Sequence, residues 1–205
     1  MTLLEHTIRD IKVPDPTISE GIKESLLTHH GIDFGRLTDA LVRYIRITGE
    51  QHPAPPQTSV VISCADHGVA AESVSAYPPE TTLNMMCNYL VAHGGAANAV
   101  ANYANANLIV ADLGVNADTA HIPGLVHRSI ARGTQNMTQG AAMTRAQAIK
   151  AVEAGIELAG ICADRGDRCI LPGEMGISNT TSSAAIVAAI LGLSPEEVTG
   201  RGANI

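Results

Sequence analysis

From residue 58 onward, short unbroken apolar runs alternate with longer stretches in which apolar residues return every three or four positions. "SVVISCA" stops at Asp66, His67 and Gly68; "ANLIVADLGV" ends in Asp112 and Gly114; "DRCILPG" ends in Pro172 and Gly173. Each run suits a strand buried on both faces and closed by a polar loop. Between them the helical period predicts a helix from about Pro79 to Val91 and, after the break at His93, Gly94 and Gly95, a second from Ala96 to Ala104. A long helix is predicted over 144–163 with Thr144 as N-cap, and a further one over "NTTSSAAIVAAILG" with Gly192 closing it. Strands alternating with helices imply an α/β fold, a Rossmann-like parallel sheet flanked by helices. Ligands of such sheets collect at the carboxyl ends of the strands, which here means the loops at 65–77, 111–116 and 172–180.

The N-terminal part is patterned differently. Residues 17–47 read as an amphipathic helix pair broken near Gly31 to Gly35, with Leu37, Leu41, Tyr44 and Ile45 at helical spacing. "PAPP" at 53–56 then marks a connector. The expected organisation is a small helical lobe at 1–50, a proline-rich connector at 51–57 and an α/β nucleotide-binding domain at 58–205.

Composition narrows the function classes. A formal net charge of -7 and one Phe with no Trp leave neither a basic field nor stacking aromatics, so nucleic acid is not an expected partner. No run approaches the ~20 apolar residues of a membrane span, and the acidic, proline-containing start is unlike a signal peptide, so a cytoplasmic location is expected. Cys64, Cys87, Cys162 and Cys169 form no CxxC, and the eight histidines form no HExxH, so no metal site is expected.

Glu174 is the residue whose role is hardest to read. It follows a strand and precedes "MGISNTT" and a helix, a geometry that offers backbone N–H groups to an anion. Ser178, Asn179 and Thr180 are each able to cap that helix. Local physics leaves two readings of almost equal weight: a substrate-facing carboxylate, or a turn residue favoured by the positive helix end. The stretch is neither a Walker A loop nor GxGxxG. "LIVADLGV" has one acid where magnesium-dependent pyrophosphate-sugar transferases carry two. In "CADHGVAAESVSAYPPETT", His67 and Ser75 read singly as loop and turn residues, and no GxSxG elbow supports a hydrolytic triad. Arg132, Thr134 and Asn136 read as an ordered surface loop.

Taken in order, "FGRL", "ADHGVAAESVSAYPPETT", "HGGAANAVANYANANLIVADLGV", "RGTQNMTQGAAMTRAQA", "GEMGISNTTSSAA" and "GRGA" resemble the nicotinate-nucleotide:dimethylbenzimidazole phosphoribosyltransferases of cobalamin biosynthesis. The resemblance implies a parallel-sheet domain with a small helical lobe, a homodimer, and no cofactor or metal. Its reaction transfers phosphoribose from nicotinate mononucleotide to 5,6-dimethylbenzimidazole or a related base, giving alpha-ribazole phosphate and nicotinate. By the same resemblance Glu174 lies beside nicotinate and ribose; Gly176, Ser178 and Gly202 form the phosphate-binding backbone; Ser75 and Asn84 face the benzimidazole.

The chain departs from that family at three places: Asn84 stands for Gln, His29 and His30 for Lys-Pro, and Ser178 for Gly. The family also has a further C-terminal region that carries the proton-accepting glutamate and phosphate-binding lysine and serines. The domain is therefore expected to be incomplete at its C-terminus, with a separate chain as one source of the missing region. Two other readings stay open: a non-catalytic nucleotide-binding module or partner subunit, and an N-glycosidic hydrolase in which Glu174 activates water.

Overall fold

The computed structural model describes residues 1–31 and 34–202, with His30 described by its backbone alone. The centre of the expected helix break, at Ile32 and Asp33, and the last three residues of "GRGANI" lie outside the described residues. Contacts divide the chain into two compact units, Met1–Pro56 and Gln57–Ile205.

The first unit holds α1 (Leu3–Asp10), α2 (Ile22–His30) and α3 (Arg36–Thr48). Helix α1 is absent from the reading of hydrophobic periodicity. A capping box starts it: Thr2 accepts from the Glu5 N–H, and Glu5 accepts from the Thr2 N–H. In α3 the buried positions are Thr38, Val42 and Ile45. Leu37 is instead exposed, so the inward stripe is rotated from the one its apolar residues suggest.

The second unit is built on a parallel sheet of β1 (Thr58–Ala65), β2 (Asn107–Gly114), β3 (Val126–His127) and β4 (Cys169–Met175), in the order β3-β2-β1-β4. The strand in "DRCILPG" is thus the fourth, because the two-residue β3 intervenes. The helices are α4 (Thr81–Cys87), running into a wider turn at Asn88–Ala92, α5 (Ala96–Tyr103), α6 (Arg145–Asp164), α7 (Asn179–Leu191) and α8 (Pro195–Val198). Thr144 caps α6 and Gly192 closes α7 in a left-handed conformation, as their residue types predict.

Strand alternation sorts the core into two layers. Ile62 and Cys64 of β1 and Val110 of β2 pack with Met86 and Tyr89 on one face of the sheet. Val61, Ile109 and Ala111 pack against Leu158 and Cys162 of α6 on the other. At the amino ends of the strands the buried Asp167 accepts from Ser59 Oγ at 2.5 Å and Asn107 Nδ2 at 3.1 Å, joining β1, β2 and the approach to β4. Strand β4 pairs on one side with β1, and its residues are largely exposed.

Candidate functional site

The turn from β4 into α7 is packed too tightly for ordinary residues. A Cβ on Gly176 would collide with the Ala65 carbonyl and stand 2.9 Å from His67 Nε2, so only glycine fits. The Ile177 N–H donates to the hydroxyl of Thr82, a fully buried residue of α4, at 3.1 Å, and the Asn179 N–H donates to the Gly176 carbonyl at 3.0 Å. Ser178 then takes a left-handed conformation, φ 74° and ψ 14°, at the N-cap of α7, where its side chain makes no capping bond. Asn179 does that work, its Oδ1 accepting from the Thr180 N–H at 2.5 Å. The Asn179 amide also donates to Glu174 Oε1, so the exposed Glu174 carboxylate is tethered to the first residue of the helix by a side chain.

Above this turn lies a cavity of about 500 Å³. Gly176 to Thr180 form its floor, Thr81 and Met85 of α4 one wall, and Ser75 and Tyr77 another. Ser75 Oγ accepts from the Tyr77 N–H at 3.2 Å, the local turn its sequence suggests. Arg201 also lines the cavity and is the one Lys or Arg among the described lining residues. Gly202, at φ 59°, lies close to the first turn of α7: a Cβ there would stand 3.0 Å from Thr180 Oγ1.

Of the residues singled out from the sequence, Gly176, Ser178 and Ser75 line this cavity. Gly202 adjoins it through Thr180, and Glu174 is tied to Asn179, which lines it. Asn84 lies on the exposed side of α4 beside the lining residue Met85 and does not line the cavity. The sequence offers Asn179 only as a cap and singles out neither Thr82 nor Arg201. The only local signal for Arg201 is its place between the two glycines of "GRG".

Helix α4, through Leu83, also lines a second cavity of about 360 Å³, with Asp66, His67, Glu80, Asn116 and Arg132. The 66–68 segment is stapled to the following loop: the Thr134 N–H donates to the Asp66 carbonyl at 3.0 Å, and the Gly68 N–H to Thr134 Oγ1 at 3.1 Å. Asn136 and Thr138 both donate to Glu72. His67 Nδ1 meets Ser182 Oγ of α7 at 3.0 Å, linking the loop after β1 to the helix after β4. Burial holds the His67 imidazole below its usual pKa, against the opposing pull of Glu174 and Asp66.

The acid at the end of β2 has a different fate. Asp112 Oδ1 accepts from the Gly114 and Val115 N–H groups at 2.9 and 2.8 Å, and Oδ2 from Thr119 Oγ1 at 2.7 Å. Its oxygens are spent on shaping its own loop. Two buried side-chain oxygens find no hydrogen-bond partner among the described residues: Asp66 Oδ1, after β1, and Ser178 Oγ, after β4. Burial, with Asp112, Glu174 and Asp66 nearby, pushes the Cys64 thiol up to about 12, which makes it a packing residue.

Residues 11–205 match the sequence model of a family described as phosphoribosyltransferase. The nicotinate-nucleotide–dimethylbenzimidazole phosphoribosyltransferase of Chlorobium chlorochromatii is 43% identical over 98% of this chain and 57% of its own length. The enzyme of that name from Geobacter metallireducens is 41% identical over 100% of this chain and 58% of its own. The crystal structure of the nicotinate-nucleotide–dimethylbenzimidazole phosphoribosyltransferase from Thermus thermophilus superposes with a TM-score of 0.85 at 39% identity, covering 92% of this chain and 57% of that one. The chain spans a little over half the length of these relatives. A family match over nearly every residue, a shared parallel sheet and a glycine-shaped turn at the carboxyl end of β4 lead to one conclusion: this chain belongs to the phosphoribosyltransferase family.

Proposed function

We propose that this polypeptide carries the phosphoribose-binding part of an enzyme that moves phosphoribose from nicotinate mononucleotide to 5,6-dimethylbenzimidazole, giving alpha-ribazole phosphate and nicotinate for the cobalamin lower ligand. The observation that carries the reading is the cavity at the head of α7, where the Gly176–Thr180 turn, a helix N-terminus and Arg201 meet. A thirteen-residue helix with a cation beside its first turn suits a phosphate, and the polar and apolar wall of Ser75, Tyr77, Thr81 and Met85 suits a flat base.

The chemistry asks little beyond positioning and charge. Nicotinate in the mononucleotide is already a pyridinium, so the C1–N bond breaks with its electron pair leaving on the ring nitrogen and no proton is required. The ribose ring turns oxocarbenium-like, and the Glu174 carboxylate, oriented by Asn179, stabilises that charge. The benzimidazole nitrogen supplies the electron pair for the new bond, and its ring N–H proton passes to a carboxylate base. In this reading Gly176, Ser178, Gly202 and Arg201 hold phosphate, Ser75 faces the base, and Asn84 meets a base that reaches past Met85. The proton acceptor comes from polypeptide that corresponds to the rest of the relatives' length.

That last step has support in the surface. Helix α7 buries none of its residues and exposes Ile186, Ile190 and Leu191, while Leu171 is exposed on β4. An uncovered apolar helix and an exposed strand of this kind suit a protein partner. We assign it to the polypeptide that completes the relatives' length, in the same or a separate chain, within a cytoplasmic homodimer. No helix among the described residues is long and apolar enough to cross a membrane.

The test is formation of alpha-ribazole phosphate from nicotinate mononucleotide and dimethylbenzimidazole, by this chain alone and with the remaining part of a relative added in trans. Product in the second mixture, undiminished by EDTA, is expected; product in neither sinks the proposal. Calorimetric binding of nicotinate mononucleotide without turnover in either mixture favours the non-catalytic module instead.

A further inference from the structure

We infer that the side-chain hydroxyl of Ser178, and not only the main chain around it, is an anion ligand, and that the strain at this residue is kept for that purpose. The inference rests on the phosphate reading of the cavity at the head of α7 and adds a specific donor to it. Three independent features coincide at the residue. Its φ of 74° is in the left-handed region, which disfavours any side chain and favours glycine. It is 5% exposed, and its Oγ is buried with no hydrogen-bond partner. It lines the cavity in which Arg201 is the one lysine or arginine among the described lining residues.

Either of the first two features alone is destabilising. A glycine at 178 would remove both, since it tolerates positive φ and has no hydroxyl to bury. The side chain is therefore an unfavourable choice for folding, at the N-cap of a thirteen-residue helix whose positive end faces an anion site. Capping does not account for it, because the hydroxyl makes no bond to α7 and the Thr180 N–H is satisfied by Asn179. Neighbouring groups do not account for it either: the Ile177 N–H is taken by Thr82, and the Asn179 N–H by the Gly176 carbonyl. The hydroxyl hydrogen turns about the Cβ–Oγ bond to suit an acceptor, so a phosphate oxygen brought against Ser178 gives it the acceptor the protein does not.

The chemical class that fits is a phosphate monoester: an anion with several acceptor oxygens, shared between Arg201, the start of α7 and this hydroxyl. A carboxylate has fewer oxygens to divide among these three sets of donors.

The experiment sets stability against affinity. Ser178→Gly and Ser178→Ala are compared with the unchanged 205-residue chain by thermal melting and by calorimetric titration with inorganic phosphate and with nicotinate mononucleotide. Ser178→Gly is expected to melt at a higher temperature and yet to bind both probes about tenfold more weakly, the loss expected for one hydrogen bond to a charged group. Ser178→Ala, which keeps the strained backbone but not the unpartnered hydroxyl, is expected to lose the same affinity with a smaller gain in melting temperature. Unchanged or tighter binding by either variant overturns the inference and leaves the phosphate reading standing. Failure of the unchanged chain to bind either probe overturns the phosphate reading and the inference with it.

Discussion

The loops that close β2 and β4 belong to one parallel sheet, on either side of β1, and they are built on opposite principles. After β2, Asp112 satisfies two backbone N–H groups and the Thr119 hydroxyl, and all of it is buried. After β4, the Glu174 carboxylate is exposed, Ser178 is strained, and its hydroxyl has no partner. The elements behind the two loops differ in the same sense. Strand β2 packs on both faces, against α6 among others, whereas α7 buries none of its residues. Internal consistency marks the part that holds the fold, and local inconsistency marks the part proposed to meet a ligand. One carboxylate at the end of each strand thus has a different task, which is why an acid in that position says little until its hydrogen bonds are known.

Breaking the β2 side is expected to have the largest effect on folding. Asp112→Ala leaves two backbone N–H groups and the Thr119 hydroxyl without their acceptor and is expected to cost about 3–5 kcal/mol, read from the urea midpoint. Glu174→Gln supplies the contrast: stability within about 0.5 kcal/mol of the unchanged chain, with transfer slowed about a hundredfold in the assembled enzyme. Should Glu174→Gln unfold the protein while Asp112→Ala leaves it intact, the division between the two loops is wrong.

The helices allow a second, smaller contrast. Leu158 of α6 is buried against Val61 and Ile109, and Leu158→Ala is expected to cost about 3 kcal/mol through lost packing and the cavity left behind. Ile190 of α7 is 76% exposed, and Ile190→Ser is expected to leave the urea midpoint of this chain nearly unchanged. In the trans mixture the same change is expected to weaken assembly, which a pull-down titration reads directly. Equal binding by Ile190→Ser and the unchanged chain would remove α7 from the proposed partner surface.

The difference between these regions also explains what could be read in advance. Strands β1 and β2 are legible because burial on both faces forces an unbroken apolar run, and α6 because Thr144 offers an N-cap before a helical period. Strand β3 has two residues and no period to detect. Helix α1 carried the Thr2–Glu5 capping signal, but its residues are mostly exposed and no buried apolar stripe accompanies it. The apolar run in β4 reads as buried although the strand is largely exposed, because a run reports what a surface prefers and not whether that surface is covered. At the site, Glu174, Gly176 and Ser178 stand out as residues of a strand-to-helix turn. Thr82 does not: it reaches Ile177 across 95 positions of sequence, and an isolated threonine in a helix has no local mark. The proposed ligand comes from the ordered resemblance of several loops, not from any one of them.

The smallest effect lies at His67, which links the loop after β1 to the site after β4. Its ring packs against Gly176 and meets Ser182 of α7, and burial lowers its pKa below the unfolded value. The charged groups around it are Glu174 from β4 and Asp66 beside it, both of which favour protonation, with Glu80 and Arg132 lining the cavity it borders. An imidazole held neutral in the fold binds its proton more readily in the unfolded chain. Stability from this group is therefore complete above the unfolded value of about 6.5 and declines as pH falls from there towards the lower folded value. Below the folded value it changes no further. The urea midpoint of the unchanged chain is thus expected to fall on acidification from about pH 6.5 more steeply than that of His67→Gln, which retains a hydrogen-bonding group for Ser182 and cannot titrate. Parallel curves for the two proteins would mean that His67 is not held neutral by its burial, and that the junction between β1 and α7 is looser than its hydrogen bond to Ser182 indicates.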